Sequence, residues 1–206
     1  MKSKKIYLIR HGQTDFNLQG IVQGSGVDAD LNATGRAQAD AFYEKYKNVP
    51  FQKIYISGLI RTYQSVSKFI TAGLPFETVP ALNEISWGKW DGKLPTSEMN
   101  SVYWEIVNKW KHGDLMAKIE GGETPVEVSE RLVPVVDTLL SNDESPILVC
   151  MHGRAMRILL AMLTAQSLSV MDSFPHENLC LYLLEVKDGQ AVIVEQNDLS
   201  HLQKGA

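Results

Sequence analysis

Two apolar stretches far apart in the chain end in the same dipeptide, His-Gly. They are residues 6–12 (Ile-Tyr-Leu-Ile-Arg-His-Gly) and residues 147–153 (Ile-Leu-Val-Cys-Met-His-Gly). Continuous aliphatic and β-branched runs of this length are typical of strands that are buried on both faces of a parallel sheet. Ligands of open α/β sheets bind just beyond the carboxyl ends of such strands. The sequence therefore predicts that His11 and His152 share one site.

The residues around the first His-Gly suit an anion, and a phosphate in particular. Arg10 carries a planar fork of donors that matches phosphate oxygens, and Gly12 allows the backbone to approach a ligand closely. Because His11 lies beside an arginine and has no carboxylate partner in the motif, we expect its imidazole to stay neutral and to keep a free lone pair. An attacking nitrogen requires such a lone pair. The alternative is a surface His-Arg pair without a role.

Composition restricts the class of protein. The chain has 206 residues and a net charge of −4, which argues against a nucleic-acid partner. No apolar run approaches the roughly 20 residues that span a bilayer, and the apolar run after residues 1–5 is too short for a signal peptide. Cys150 and Cys180 each lie in an apolar run, as expected of free thiols that act as small hydrophobes. We therefore expect a cytoplasmic protein with no membrane partner.

Strand-like runs alternate with helical patterns along the chain, which indicates a layered α/β fold with a mostly parallel sheet. The predicted strands are 6–9, 54–56, 147–150, 179–186 and 191–195, and the predicted helices include 33–46, 58–72 and 154–163. Asp188-Gly189 predicts a hairpin, and hence an antiparallel pair, near the C-terminus.

A helix start is clear at Thr124, where a threonine N-cap precedes proline at N1 and glutamate at N3. Pro134 lies inside this helical pattern, and we expect it to kink the helix or to end it early.

Residues 87–122 differ from the rest of the chain, because they hold all four tryptophans and contain no strand-like run. We expect a helix over about 96–111 and a helical excursion over about 88–122, inside a single domain that spans residues 1–206. Two interpretations stay open: the excursion lids the pocket and contacts the non-phosphate part of a ligand, or its tryptophans only dock it onto the body.

Motifs in a fixed order give the chain a family resemblance. Each motif is short, and together they run nearly end to end: Arg10-His11-Gly12-Gln13-Thr14 with Asn17, residues 31–39, residues 57–62, residues 82–92, residues 121–124, His152-Gly153, and Asn197-Asp198 with His201-Leu202. This set resembles the histidine phosphatase superfamily, also called the phosphoglycerate-mutase-like family. The resemblance implies a three-layer α/β/α sandwich with a mostly parallel central sheet and one antiparallel strand.

The resemblance also implies roles for single residues. His11 would be phosphorylated during catalysis, and Arg10, Arg61 and His152 would hold the phosphoryl oxygens. Glu84 would protonate the leaving oxygen and then activate water. Asn17, Gln23 and Gly153 match positions that contact the substrate. No metal and no cofactor is implied, since the arginines already supply the positive charge.

Each assignment has a plainer alternative in the residues themselves. Arg61 is expected in the first turn of a helix after a strand, where helix N-termini favour anions, but it is equally an exposed helix arginine. His152 is a core histidine with satisfied hydrogen bonds in the plainer interpretation, and Glu84 a surface carboxylate.

Three residues depart from the family pattern: Arg154 replaces a common glycine, Gly58 a polar residue and Thr62 an alanine. Arg154 is expected either to bind a second anionic group or to point to solvent.

Three functions follow from these features. The first is a metal-independent phosphomonoesterase that acts through a phosphohistidine on a small phosphorylated metabolite, as a monomer or a homodimer. The second is a mutase, which is disfavoured because residues 88–122 contain no arginine to hold phosphoglycerate. The third is a non-catalytic protein that binds a phosphorylated ligand.

Overall fold

A six-stranded mixed sheet forms the centre of the molecule. In a computed structural model, which describes residues 4–203, the strands are β1 Lys4–Arg10, β2 Lys53–Ile56, β3 Phe76–Thr78, β4 Ile147–Met151, β5 Leu181–Lys187 and β6 Gln190–Asp198. Their order in space is β3-β2-β4-β1-β5-β6. Strands β3, β2, β4 and β1 are parallel, whereas β5 pairs antiparallel with β1 on one side and with β6 on the other. The expected single antiparallel strand is therefore β5.

Helices cover both faces of this sheet. They are α1 Asp15–Gln19, α2 Ala33–Tyr46, α3 Ile60–Thr71, α4 Ser97–Lys111, α5 Pro125–Ser141 and α6 Gly153–Leu163, with short 3₁₀ turns at Pro80–Leu82, Gly88–Trp90, Leu168–Ser173 and Ser200–Leu202. Phe42 of α2 and Val66 of α3 pack on one face. Helices α4, α5 and α6 pack on the other through Trp110, Leu132 and Leu159. The predicted three-layer α/β/α sandwich is confirmed.

The two His-Gly runs become the two central parallel strands. Every residue of β4 is buried, because Ile147 and Val149 face one layer of helices while Leu148 and Cys150 face the other. Strand β1 pairs with β4 in register, with Ile6 opposite Ile147. Consequently the carboxyl ends of both strands, and the His-Gly pairs that follow them, lie at the same edge of the sheet.

Three local features of the structure agree with what the sequence predicts, and the helix around Pro134 differs in one respect. The capping box at Thr124 is present, and the Asp188-Gly189 turn joins β5 to β6. Pro134 does not end α5, which continues to Ser141. Buried contacts of Leu132, Val135 and Leu139 on the body-facing side anchor the helix on both sides of the proline. Cys150 and Cys180 are buried free thiols, as expected.

One strand of the sheet falls outside what the sequence patterns indicated. Strand β3 was not predicted, since its three residues are all exposed and carry no apolar run. Residues 1–3, which belong to the N-terminal stretch discussed above, and residues 204–206 lie outside the described part of the chain.

Candidate active site

Three adjacent parallel strands deliver polar side chains to one edge of the sheet. His11 follows β1, Ser57 follows β2 and His152 follows β4. The backbone N–H of His11 donates to the carbonyl of Met151 at 2.9 Å, so the β1–β4 ladder continues to the histidine itself. The imidazole centroids of His11 and His152 are 5.1 Å apart. The two histidines are thus brought together as predicted.

The ring of His11 is oriented by its own loop. Its Nδ1 lies 2.7 Å from the carbonyl oxygen of Gly12. Since a carbonyl only accepts, Nδ1 carries the proton and Nε2 of a neutral ring keeps its lone pair. Burial, and after it the positive charges of Arg61 and Arg10, hold the pKa of His11 well below its ordinary value of 6.5. At neutral pH the imidazole of His11 is therefore neutral, with a proton on Nδ1 and a free lone pair on Nε2.

A close backbone contact fixes the loop that carries His11. A Cβ at Gly12 would lie 2.7 Å from the carbonyl oxygen of Gly35 at the start of α2, a distance that no side chain tolerates. The N–H of Gly12 donates to Ser65 of α3 at 2.9 Å. Glycine is therefore required at position 12 by packing between the loop and two helices.

His152 is held between an arginine and a serine. Nε of Arg61 donates to its Nδ1 at 3.1 Å, and Oγ of Ser57 lies 2.7 Å from its Nε2. An arginine can only donate, so Nδ1 accepts and the proton of the neutral ring is on Nε2, which donates to Ser57. Ser57 contacts the hydroxyl of Thr62 at 3.0 Å, and Thr62 donates to the carbonyl of Leu59 at 2.9 Å.

This chain of contacts uses both nitrogens of His152. The ring therefore has no free N–H for a phosphoryl oxygen in this arrangement and contacts Arg61 instead. The direct contact that the family resemblance implies stays a prediction. Burial, reinforced by the charge of Arg61, lowers the pKa of His152 well below 6.5, in agreement with a neutral ring. Thr62, which departs from the family pattern, receives the hydroxyl of Ser57 and ends the chain.

The two arginines leave donors free at the site. Among the described residues, Nε of Arg10 and Nη2 of Arg61 are buried without a hydrogen-bond partner. Buried polar groups are usually hydrogen-bonded, so these donors are available to an acceptor that enters the site. Burial lowers the pKa of Arg61 to about 10, which leaves the guanidinium charged at neutral pH. Two cations with free N–H groups next to a neutral histidine suit a phosphoryl group.

Glu84 lies at the N-terminus of α6, where its carboxylate accepts three backbone hydrogen bonds. The donors are Ile85 at 2.9 Å, Arg154 at 3.0 Å and Ala155 at 2.8 Å. Glu84 is buried, at 7% exposure, and its charge acts on the pKa values of both Arg10 and Arg61. It is therefore part of the same cluster and not a surface carboxylate.

Arg131 of α5 holds the loop that carries Glu84, a role that no sequence motif had indicated. Its guanidinium donates to the carbonyls of Ala81 at 2.5 Å, Asn83 at 3.0 Å and Glu84 at 3.2 Å. The same side chain pairs with Glu123 at 2.9 Å, and Glu123 accepts from the N–H of Ser86 at 2.8 Å. A second contact with Glu123, from Nη2 at 3.1 Å, brings the hydrogen bonds that Arg131 donates to five, and only arginine offers five donors in one plane.

The predicted substrate contacts have different surroundings. Asn17 is the N3 residue of α1 and completes the capping box of Thr14, whose N–H donates to Oδ1 of Asn17 at 3.1 Å. Gln23 accepts from the hydroxyl of Thr14 at 2.8 Å, and its Nε2 is buried without a partner among the described residues. Gly153 begins α6, and a Cβ there would lie 2.7 Å from the ring of His176. Its lack of a side chain makes room for that ring.

Arg154 does not point to solvent, so that expectation was wrong, whereas the binding of a second anionic group stays a prediction. Its side chain is buried, donates to Asp172 at 2.5 Å and to the hydroxyl of Tyr103 at 2.8 Å, and lies over the ring of Trp110. Burial alone would lower the pKa of Arg154, but its contacts with Tyr103 and Asp172 outweigh burial and raise that pKa. Arg154 thereby joins α6 to helix α4 of the excursion.

The excursion forms one wall of a cavity of about 260 Å³ whose other wall includes Gln23. Most of its lining is apolar or aromatic, and the lining residues are Val22, Gln23, Trp87, Trp90, Pro95, Met99, Asn100 and Tyr103. Trp110 of α4 is fully buried, whereas Trp104 is 65% exposed on the outer side of the same helix. The tryptophans therefore have different surroundings. Trp110 packs in the core, Trp87 and Trp90 line the cavity, and Trp104 faces solvent.

Residues 4–203 contain neither a membrane-spanning helix nor a cluster of metal-binding side chains. No helix there is long and apolar enough to cross a membrane. Nowhere in the same range do three His, Cys, Asp or Glu side chains come together as a metal-binding group.

The chain is similar over most of its length to several known phosphatases. Phosphoserine phosphatase 1 of Hydrogenobacter thermophilus is 26% identical over 200 residues, which cover 96% of this chain and 94% of that protein. The solved mycobacterial glucosyl-3-phosphoglycerate phosphatase superposes with a TM-score of 0.81 at 25% identity and covers 95% of this chain and 99% of its own. The 6-phosphofructo-2-kinase/fructose-2,6-bisphosphatase 1 of Mus musculus is 31% identical over 160 residues, which are 77% of this chain and 32% of that protein.

A family model spans almost the whole sequence. The histidine phosphatase superfamily (branch 1) matches residues 6–199, from β1 to the end of the sheet and beyond. This chain therefore belongs to the histidine phosphatase superfamily (branch 1) and is an enzyme of its phosphatase type.

Proposed function

We propose that the protein hydrolyses phosphate monoesters through a phosphohistidine at His11, without a metal. One observation carries the proposal: a neutral His11 lies beside Arg10 and Arg61. Nε of Arg10 and Nη2 of Arg61 are buried donors that have no partner among the described residues. A nucleophilic nitrogen and unsatisfied donors for the oxygens of its target are the two things that phosphoryl transfer requires.

The reaction takes two steps. In the first, Nε2 of His11 attacks phosphorus, the N–P bond forms, and the P–O bond to the alcohol breaks. Glu84 first takes up a proton from solvent and then donates it to the leaving oxygen, because an alkoxide is a poor leaving group at neutral pH. Such general acid catalysis contributes about 10²- to 10⁴-fold.

In the second step Glu84, now a carboxylate, takes a proton from water. The resulting hydroxide attacks phosphorus, the N–P bond breaks, and inorganic phosphate leaves. His11 regains its lone pair and Glu84 its proton. Throughout both steps Arg10 and Arg61 neutralise the phosphoryl oxygens, which removes the electrostatic need for a metal ion.

The substrate is proposed to be a small phosphorylated metabolite, and the cytoplasm its location. Support for the first comes from the relatives named above, which are phosphatases of phosphoserine and of glucosyl-3-phosphoglycerate. Support for the second comes from Cys150 and Cys180, which are free thiols in a fold that uses no disulfide between them.

The excursion is proposed to hold the alcohol part of the substrate. Gln23 connects the two regions, since it contacts Thr14 of the His11 loop and also lines the aromatic cavity. Its free Nε2 offers one hydrogen bond to a polar group of the substrate. Within residues 4–203 no lysine or arginine lines the cavity, so its walls suit an apolar or aromatic part of the alcohol and offer no cation to a carboxylate.

A phosphate-release screen tests the proposed function. Purified protein in EDTA is given a panel of monoesters that includes 1-naphthyl phosphate, phosphoserine, 3-phosphoglycerate and sugar phosphates. We expect release in EDTA that is abolished in His11→Ala. Loss of activity on metal removal would refute the metal-free mechanism, and isomerisation of 3-phosphoglycerate outpacing release, in an assay primed with bisphosphoglycerate, would establish the mutase instead.

A further inference from the structure

Arg10 is held by a third histidine that lies outside all the sequence motifs. His176 lies in the segment between the 3₁₀ turn Leu168–Ser173 and β5. Its Nδ1 is 3.2 Å from Nη1 of Arg10. Because a guanidinium can only donate, Nδ1 of His176 must be the acceptor. The side chain of Arg10 therefore has a fixed contact with this ring.

This contact matches the one that holds the other arginine. Arg61 donates to Nδ1 of His152, as Arg10 donates to Nδ1 of His176. Each arginine keeps one buried nitrogen donor without a partner among the described residues, which is Nε in Arg10 and Nη2 in Arg61. Both guanidinium groups are thus anchored by an imidazole and present a free donor.

The acceptor role requires His176 to remain neutral beside a cation. Burial, followed by the charges of Arg10, Arg157 and Arg154, lowers the pKa of His176 to about 2. The ring therefore accepts from Arg10 over the whole range in which the fold is expected to function, and it adds no positive charge that would repel the guanidinium.

The start of α6 is shaped to receive this ring. A Cβ at Gly153 would lie 2.7 Å from Cε1 and 3.0 Å from Nε2 of His176. The same glycine directly follows His152, so the helix that anchors Arg61 through one histidine also seats the histidine that anchors Arg10. Any side chain at position 153 would require the ring of His176 to move, and we expect this movement to disturb its contact with Arg10.

We propose that His176 is a positioning residue, which holds Arg10 so that its free Nε–H points to a phosphoryl oxygen. The proposal rests on the proposed function, since it assumes that the anion at this site is a phosphoryl group. His176 need not touch the substrate, because it acts through Arg10. A guanidinium displaced by about 1 Å loses its alignment with the oxygen, and such misplacement costs up to about 100-fold in rate.

Two substitutions separate this role from a merely structural one. His176→Leu keeps the bulk and removes the acceptor, whereas His176→Asn places Oδ1 near the former position of Nδ1 and can still accept from Arg10. We expect His176→Leu to lower kcat/KM for p-nitrophenyl phosphate by about 10- to 100-fold. We also expect it to weaken the binding of inorganic phosphate in calorimetry by a comparable factor. His176→Asn should remain within about threefold of the parent in both measurements.

Gly153→Ala supplies a second route that leaves His176 itself unchanged. It should reduce phosphate affinity as His176→Leu does, and the double variant should be no worse than either single one, because both remove the same contact. His112→Leu, on the exposed end of α4, is the control and should match the parent.

The inference would be overturned by parent-like phosphate affinity in His176→Leu, or by equal losses in His176→Leu and His176→Asn. Failure of the proposed function has a different signature. In that case the parent protein would release no phosphate from any monoester, whereas the binding of inorganic phosphate would still report on the role of His176.

Discussion

Nε of Arg61 donates to Nδ1 of His152 at 3.1 Å, and this one contact fixes the protonation state of the second histidine. Because Arg61 cannot accept, the proton of His152 must be on Nε2, where Ser57 receives it. His152 thereby becomes the link between a serine at the end of β2 and the guanidinium that faces the phosphoryl site.

Removal of the serine hydroxyl tests this link. In Ser57→Ala the Nε2–H of His152 loses its acceptor in a buried site, which costs about 1–3 kcal/mol of unfolding free energy. We also expect kcat/KM to fall about tenfold as Arg61 loses its anchor. Chemical denaturation and steady-state kinetics measure the two effects. Ser67→Ala on α3 is the control, and its unfolding free energy should stay within about 0.5 kcal/mol of the parent. An unchanged Ser57→Ala would show that His152 needs no fixed tautomer.

The low pKa of His11 makes stability depend on pH in a definite direction. The folded protein holds His11 neutral far below pH 6.5, whereas the unfolded chain protonates it near that value. The unfolded state therefore binds more protons in this window, so the contribution of His11 is fully present above pH 6.5 and is lost as the pH falls.

The variant His11→Asn isolates that contribution, because asparagine does not titrate. Between about pH 7 and about pH 5, we expect the unfolding free energy of the parent to fall by about 2 kcal/mol more than that of His11→Asn. Urea denaturation at the two pH values gives the comparison. Equal pH dependence of the two proteins would mean that His11 is protonated in the folded state, which is incompatible with its role as a nucleophile.

Arg131 should control the position of Glu84 although it is remote from the phosphoryl group. In Arg131→Gln three backbone carbonyls and Glu123 lose their shared donor, and we expect kcat to fall about tenfold with little change in KM. Arg131→Lys retains the charge but not the fork, so it should be impaired as well. Glu130→Gln, exposed on the same helix, is the control. Parent-like kinetics of Arg131→Lys would show that charge alone is sufficient.

The excursion offers a matched pair of tryptophans. Trp87 lines the cavity beside the site, whereas Trp104 is 65% exposed on the outer side of α4. We expect Trp87→Ala to lower kcat/KM about tenfold for 1-naphthyl phosphate and to leave that for methyl phosphate unchanged, because only the first fills an apolar pocket. Trp104→Ala should affect neither. Equal losses on both substrates would assign Trp87 a docking role only.

The sequence predicts this fold well where local pattern and packing agree. Strands β1 and β4 follow from apolar runs, and the helix starts at Thr124 and near Arg61 follow from capping chemistry and position. Strand β3 does not, since Phe76, Glu77 and Thr78 are exposed and pair only through the backbone.

The site divides in the same way. His11, Arg10, Arg61, Glu84 and His152 lie together as their motifs predict. The groups that orient them come from distant parts of the sequence through tertiary packing, and they are Ser57, Arg131 and His176. Ser57 lies in the motif of residues 57–62, but nothing there indicates its contact with His152, and Arg131 and His176 lie in no motif. The hydrogen bond from Arg131 to Glu84, for example, joins residues 47 positions apart.

The central claim is that His11 carries the phosphoryl group during turnover. Rapid acid-free quenching of the protein with p-nitrophenyl phosphate, followed by peptide mass spectrometry under alkaline conditions, detects an N-linked phosphoryl group directly. We expect an acid-labile, alkali-stable phosphoryl group on His11, present during turnover and absent in His11→Ala. A label on another residue, or phosphate release by His11→Ala at the rate of the parent, would contradict the mechanism.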